Sequence, residues 1–222
     1  TLLGGESERP LARRFTRELP AAMQAYARDL TGQTALTDLP EIISGLDALL
    51  TPDTGLMHLG AHCGTPLETL VLSSAWCYET GPYGLGHNIR QAAVTCAPCL
   101  ESAPCPHGLR CLAPFKTDSL GKLMTGKRPV ELPGDLATLT GRFDSLGMDY
   151  GPTPETDARE TGASGPLLPE EHAVRQGLRF MLAEFLGLDT GKIAAPPLAA
   201  QHALQTQFFH ESDWLLPKTK IF

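Results

Sequence analysis

The stretch Pro52–Ala61, PDTGLMHLGA, decides the fold of the first half of this chain. The apolar pair Leu49-Leu50 before it predicts a buried strand that ends in the turn Pro52–Gly55. A short helix is expected from Leu56 to Cys63, with Gly64 as its stop. The first backbone N–H groups of a helix lack an intrahelical acceptor, and the helix dipole adds positive potential there. The segment therefore predicts a strand, a turn and a helix whose N-terminus suits a phosphate.

Four positions around this turn are candidates for holding that anion: Asp53, Thr54, Gly55 and His58. Gly55 lets the backbone approach a ligand closely, Thr54 offers a hydroxyl donor, and His58 lies one turn into the helix. The other interpretation is a capped helix, in which Asp53 or Thr54 satisfies the N–H groups and His58 is a packed helix residue. The residues taken alone leave both interpretations open.

The segments on either side of the turn alternate between strand and helix. Leu2–Gly5 is expected to be a buried strand that runs into a glycine turn, and Ser7–Leu30 to be helical apart from its prolines. Thr37 is expected to cap a further helix, and Leu67–Leu72 to form another strand. This alternation predicts an α/β fold with a parallel sheet.

The second half carries weaker signals. A loop rich in Gly, Pro and Cys follows Trp76, and residues 117–168 hold little periodic hydrophobicity. A helix is expected after Glu170-Glu171, and we interpret its apolar stripe as core. That stripe consists of Val174, Leu178, Met181, Leu182 and Phe185. We therefore predict three regions: residues 1–94, a finger at residues 95–116, and a loop-rich, mainly helical extension at residues 117–222.

The composition narrows the classes of function. The chain has 222 residues and a net charge of -7, from 18 Lys plus Arg against 25 Asp plus Glu. A nucleic-acid binder needs a basic field, so nucleic acid is not an expected partner. No apolar run approaches the roughly 20 residues that span a bilayer, so no transmembrane segment is expected. The apolar and charged fractions, 42% and 19%, predict a folded chain and not a wholly disordered one.

Four of the six cysteines, Cys96, Cys99, Cys105 and Cys111, fall in one short stretch. Because no secretory leader is visible, a metal site is favoured over a disulfide framework. Tetrahedral thiolate coordination suits zinc and also iron, and four protein ligands make such a site structural. The alternative is a reduced local cluster or one or two disulfides.

The order of these motifs resembles the ADP-heptose:lipopolysaccharide heptosyltransferases, glycosyltransferase family 9. The resemblance covers roughly residues 2–116 and rests on short motifs in a fixed order. They are LLGG at 2–5, TGQT at 31–34, DTGLMHL at 53–59, GTP at 64–66, GPYG at 81–84, CAPC at 96–99 and Cys105-Pro106.

The resemblance implies the GT-B fold, in which two Rossmann-like domains face each other and the C-terminal one binds the nucleotide sugar. It assigns the diphosphate and sugar to the turn Asp53-Thr54-Gly55 and to His58, and the nucleoside to Gly4, Gly5 and Glu6. A related subgroup that modifies autotransporter proteins has a four-cysteine, iron-holding finger, which the cysteine segment resembles.

These expectations make the chain the C-terminal, donor-binding half of a glycosyltransferase that begins inside a domain. By resemblance, the reaction is inverting transfer of heptose from ADP-heptose to a lipopolysaccharide core or a protein hydroxyl. The N-terminal acceptor domain of the same polypeptide would supply the catalytic base, so we expect the 222 residues alone to be inactive in transfer.

We expect a cytoplasmic location, with peripheral attachment to the inner membrane as an alternative. The rival functions are a non-catalytic metal-finger interaction module and a transferase for another nucleotide sugar.

Two further groups are weaker candidates. His87 and Arg90, together with the loop Gly81–Gly84, are placed where they could face the sugar, although a plain surface loop is an equal alternative. Glu79 lies in a segment to which the sequence assigns no role.

Overall fold

The computed structural model describes residues 1–72, 74–97, 99, 104–116, 136–152 and 170–193. The helices of this described part are α1 (Arg9–Glu18), α2 (Ala21–Gln24), α3 (Leu39–Ser44), α4 (Gly55–His62), α5 (Cys77–Thr80) and α6 (Glu170–Phe185). The strands are β1 (Leu49–Pro52), β2 (Leu67–Val71), β3 (Asn88–Ala92), β4 (Leu136–Asp144) and β5 (Gly147–Pro152). Short 3-10 helices lie at Glu6–Glu8 and Arg110–Phe115.

The five strands form one sheet in sequence order, β1-β2-β3-β4-β5. β1, β2 and β3 run parallel, as βαβ connections through α4 and α5 require. β4 and β5 are antiparallel to their neighbours. The predicted α/β class is confirmed, and the parallel part has the arrangement of a Rossmann-like fold.

Close packing of α4 on the strands explains the parallel part. Gly60 lies so near the sheet that a Cβ there would be 2.8 Å from Leu67 Cδ2 and 2.9 Å from Leu49 Cδ2. The buried apolar cluster beneath the helix consists of Leu39, Ile43, Leu49, Met57 and Leu67. Burial of this set is the main stabilising contribution to the β1-α4-β2 unit.

The N-terminal segment differs from the sequence prediction. Leu2 forms an isolated parallel bridge with Asp29 and is not a strand of the five-stranded sheet. The helical stretch is interrupted, since α1 ends at Glu18 before Pro20. α3 begins at Leu39 with Asp38 as its N-cap, one residue later than a Thr37 cap would place it.

The hairpin formed by β4 and β5 is not predicted by the sequence, and neither are α5 and β3, which lie in the loop expected after Trp76. The strands of the hairpin are joined at Asp144 and Gly147, and Gly147 has a φ of 99°, which favours glycine. β4 begins with a run of consecutive buried residues, 136–139, instead of alternating ones. A strand that is covered on both faces lacks the alternation of apolar and polar residues, so the sequence of this segment does not predict a strand. β4 pairs with β3, and the hairpin therefore extends the same sheet.

The interpretation of the α6 apolar stripe as core is wrong. Leu178, Met181 and Leu182 are exposed, and Phe185 is 86% exposed. The helix buries Gln176 and Ala183 instead. It docks on the hairpin through polar contacts, which is why its apolar side stays outward. Within the described part of the chain, no helix combines the length and the apolar content that crossing a bilayer requires.

Candidate functional site

The turn between β1 and α4 presents an uncapped helix N-terminus. Thr54 occupies the N-cap position in an extended conformation, with φ -147° and ψ 174°, and makes no side-chain cap hydrogen bond. The first turn closes through the Met57 N–H, which donates to the Thr54 carbonyl at 3.0 Å. The preceding N–H groups, at Gly55 and Leu56, have no intrahelical acceptor by helix geometry. The predicted turn and helix are confirmed, whereas the capped-helix interpretation does not describe Thr54.

The polar side chains of the turn are engaged away from the helix. Asp53 Oδ2 accepts a hydrogen bond from the Thr80 hydroxyl at the end of α5. The Thr54 hydroxyl lies 3.4 Å from the Thr51 hydroxyl and 3.5 Å from the Pro52 carbonyl. Thr80 is a residue that sequence analysis missed, because it is 27 positions from Asp53 and belongs to no motif.

The space in front of this N-terminus is open. Thr54, Gly55 and His58 are exposed, and a Cβ built on Gly55 meets nothing within 4 Å. Packing therefore does not require glycine at position 55. An exposed helix N-terminus with a glycine, a hydroxyl and an imidazole beside it can receive an anionic group.

Gly4, Gly5 and Glu6 lie at the start of the 3-10 helix Glu6–Glu8. The Gly5 N–H donates to Glu8 Oε2 at 2.7 Å, and Glu6 pairs with Arg9 at 3.0 Å. The Gly4 carbonyl accepts a hydrogen bond from the more distant Gly32 N–H at 2.9 Å. The neighbouring Leu3 packs against the same apolar cluster that includes Met57 of α4. The segment is thus anchored to the same core as the turn. A role for Gly4, Gly5 and Glu6 in binding a nucleoside stays a prediction.

The weaker candidates near α5 have structural contacts. Arg90 is 2% exposed and pairs with Glu68 at 3.1 Å, so it is not placed to meet a sugar. Glu79 Oε2 accepts a hydrogen bond from the Trp76 N–H at 3.1 Å and so caps α5. His87 is buried, and burial lowers its pKa because the charged imidazolium is poorly solvated there.

The structure does not support the predicted four-cysteine metal site. None of the six cysteines forms a disulfide, and the described residues contain no group of three or more His, Cys, Asp or Glu side chains arranged to hold a metal ion. Cys111 is buried with Ala92 and Val94 in an apolar cluster, against which Cys96 packs. Cys99 and Cys105 are exposed. Two of the thiols therefore pack in or against the apolar core and the other two are exposed. A closed zinc or iron site needs all four sulfurs around one point, which this arrangement does not provide.

Comparison with known families gives a match to part of the chain. The sequence model of glycosyltransferase family 9 (heptosyltransferase) matches residues 1–107. This segment contains the β1-α4 turn, Thr80 and all of the parallel strands. The hairpin and α6 lie outside it.

A curated relative of the chain is also a heptosyltransferase. The chain is 30% identical over 69 residues to lipooligosaccharide heptosyltransferase 2 of Haemophilus influenzae. The aligned residues amount to 31% of this chain and to 20% of the relative, so the chain matches only a fifth of that protein's length. No solved structure matches the chain.

Proposed function

We propose, from the match of residues 1–107 to the sequence model of glycosyltransferase family 9, that this chain is the donor-binding part of a glycosyltransferase. The donor would be a nucleotide sugar, with ADP-heptose as our specific proposal. The acceptor would be a lipopolysaccharide core or a protein hydroxyl. The family match and the heptosyltransferase relative support the donor class. We propose the GT-B arrangement and a cytoplasmic location on the resemblance alone.

The single observation that carries the proposal is the uncapped, exposed N-terminus of α4 within the matched segment. Transfer from a nucleotide sugar releases a diphosphate on which negative charge grows. Backbone N–H donors, a helix dipole and an imidazole stabilise such charge without reorganising. Gly55 and Leu56 would supply the N–H donors, and His58 lies one turn further along the same helix.

The proposal divides the reaction between two parts of a protein. These 222 residues would hold the donor and stabilise the leaving diphosphate. The acceptor hydroxyl must also lose a proton to a base on the opposite side of the sugar. By resemblance that base comes from an acceptor-binding domain, so we propose that these residues alone bind the donor but do not transfer the sugar.

The experiment is calorimetry of ADP and ADP-heptose against wild type, Gly55→Ala and the control Gly45→Ala. A Cβ at Gly55 meets no protein atom, and one at Gly45 comes no closer than 3.5 Å to its nearest neighbour. Both variants should therefore keep the fold. A methyl group at position 55 blocks the approach to the N–H groups, and we expect about tenfold weaker binding, or about 1.4 kcal/mol. Gly45→Ala should bind like wild type.

Three results would contradict the proposal. Equal affinity in both glycine variants would place the diphosphate elsewhere. Binding of UDP or GDP nucleotides in preference to ADP would identify a transferase for another donor. Transfer to an acceptor by the 222-residue chain would show that the base lies within it.

A further inference from the structure

We propose that Thr80 is a positioning residue of the donor turn. Its hydroxyl would hold the Asp53 carboxylate away from the α4 N-terminus and so leave that N-terminus open for a diphosphate. The inference rests on the proposed function and deepens it. It gives a role to a residue outside the turn, and that role is performed entirely through Asp53.

The chemical problem at this turn is competition between two anions. Aspartate is among the best helix-capping residues, and a negative charge is stabilised at a helix N-terminus. Asp53 immediately precedes the N-cap Thr54. A carboxylate that capped α4 would occupy the N–H groups that a diphosphate needs, and it would repel the diphosphate as well. A donor site built on this sequence therefore needs another partner for Asp53.

The structure provides that partner. The Asp53 carboxylate is hydrogen-bonded to the Thr80 hydroxyl, and the Thr54 hydroxyl turns back toward Thr51 and Pro52. Both side chains that could cap α4 thus have other partners, Asp53 at the end of α5 and Thr54 on β1. The uncapped N-terminus is a consequence of these contacts, although capping residues are present in the sequence.

Thr80 is itself held in a defined place. At the start of α5, the Cys77 N–H donates to Gln91 Oε1 of β3 at 2.9 Å. Just past the end of α5, the Pro82 carbonyl accepts a hydrogen bond from the Tyr150 hydroxyl of β5 at 3.0 Å. Thr80 lies between these two anchors. The hairpin, which lies outside the family match, therefore helps to fix the residue that restrains Asp53.

The test uses Thr80→Val and Thr80→Ser in the 222-residue chain, with ADP as the probe. Valine keeps the shape of threonine and removes the donor, so Asp53 becomes able to cap α4. We expect the Kd for ADP to rise about tenfold, the size of effect that follows from losing a hydrogen bond to a charged group. We expect no loss of stability, because the helix gains a cap. Thr80→Ser keeps the hydroxyl and should bind like wild type.

Two further variants separate positioning from a general structural effect. Asp53→Asn combined with Thr80→Val removes the competing charge, so most of the ADP affinity should return. Thr65→Val is the matched control at the other end of α4, where the Thr65 hydroxyl donates to the Ile43 carbonyl at 2.9 Å. It should lower stability and leave ADP affinity unchanged.

The outcomes are distinguishable. If wild type binds ADP and Thr80→Val binds it equally well, the inference fails and the proposed function stands. If Thr80→Val loses affinity and stability together, and the double variant does not recover, Thr80 is only structural and the inference fails. If wild type binds none of ADP, UDP and GDP, both the inference and the proposed function fail.

Discussion

The two halves of the sheet are stabilised internally by different interactions. The parallel half, residues 49–92, is built from short βαβ connections over an apolar cluster. The hairpin half comprises β4, β5 and α6, and its central buried group is a carboxylate, Asp149. Asp149 lies 2.9 Å from Arg142, 3.5 Å from Arg175 and 3.8 Å from Arg179. Apolar packing therefore stabilises the parallel half of the sheet, and ion pairs stabilise the hairpin half.

The seam between the halves is apolar. Val71, Cys77 and Ile89 of the parallel half share a buried cluster with three residues of the hairpin. Those residues are Ala137, Leu139 and Tyr150. α6 is therefore held on the sheet by charged and polar contacts, whereas the strands of the two halves join through burial of apolar side chains. Each half should therefore respond to a different kind of substitution.

The largest effect is expected from Asp149→Asn. The substitution keeps the size of the side chain and removes the carboxylate that Arg142 and Arg175 face, whereas Arg179 keeps Asp144 at 2.6 Å. Breaking a buried ion pair costs about 3–5 kcal/mol, and we expect about 3 because Arg142 and Arg175 stay partly in water. The measurement is the free energy of unfolding in urea. A single transition would show one cooperative unit, and two transitions would show that the halves unfold separately.

The control for Asp149 is Glu18→Gln on α1. Glu18 pairs with Arg14 at 2.8 Å, but both side chains are exposed, so its loss should be far smaller. Burial would raise the pKa of Asp149, but hydrogen bonds from Gln176 and Arg142 outweigh it and lower the pKa. Its contribution is therefore present above about pH 4 and is lost as the pH falls through the lower folded-state pKa. Equal losses in Asp149→Asn and Glu18→Gln would contradict the ion-paired view of the hairpin half.

A smaller effect of a different kind is expected from Gly60→Ala in the parallel half. The new Cβ would approach buried Leu67 and Leu49 at 2.8 and 2.9 Å. Overpacking costs about 1–3 kcal/mol, and alanine returns up to about 1 through its helix propensity. We expect a net loss of about 1 kcal/mol by urea unfolding. Gly45→Ala, which meets no close neighbour, should be neutral, and equal stability of the two variants would show that α4 packs less tightly.

The β1-α4-β2 part of the parallel half was predictable from sequence because its signals are local, whereas α5 and β3 fall in the segment that was predicted to be loop. The turn at Pro52–Gly55, the glycine stop at Gly64 and the apolar strand at Leu67–Val71 all lie within a few residues of the structure that they specify. Gly64 has a φ of 75°, where glycine is favoured. The candidate anion site follows from the same residues.

The hairpin half and the Asp53–Thr80 contact depend on residues that are far apart in the sequence. Asp149 and Gln176 are 27 positions apart, and so are Asp53 and Thr80, so no local pattern announces either contact. The hairpin lacks strand alternation because β4 is buried on both faces at its start. The predicted four-cysteine metal site is not supported by the described residues. The close spacing of the cysteines favoured one metal site, but Cys111 is buried in an apolar cluster and Cys105 is exposed.

The last prediction concerns the seam and is measured by the reactivity of single cysteines. Cys77 is buried between the halves, and burial raises its pKa to about 12, so it is neither accessible nor a thiolate at neutral pH. We expect iodoacetamide to label Cys99 and Cys105 rapidly and Cys77 only when the seam opens. Peptide mass spectrometry gives each rate, and Asp149→Asn should speed the labelling of Cys77 alone. Rapid labelling of Cys77 in the wild-type chain would show that the hairpin does not cover it. Protection of Cys99 and Cys105 that a chelator abolishes would instead restore the four-cysteine metal site, because thiolates held by a metal ion do not react until it is removed.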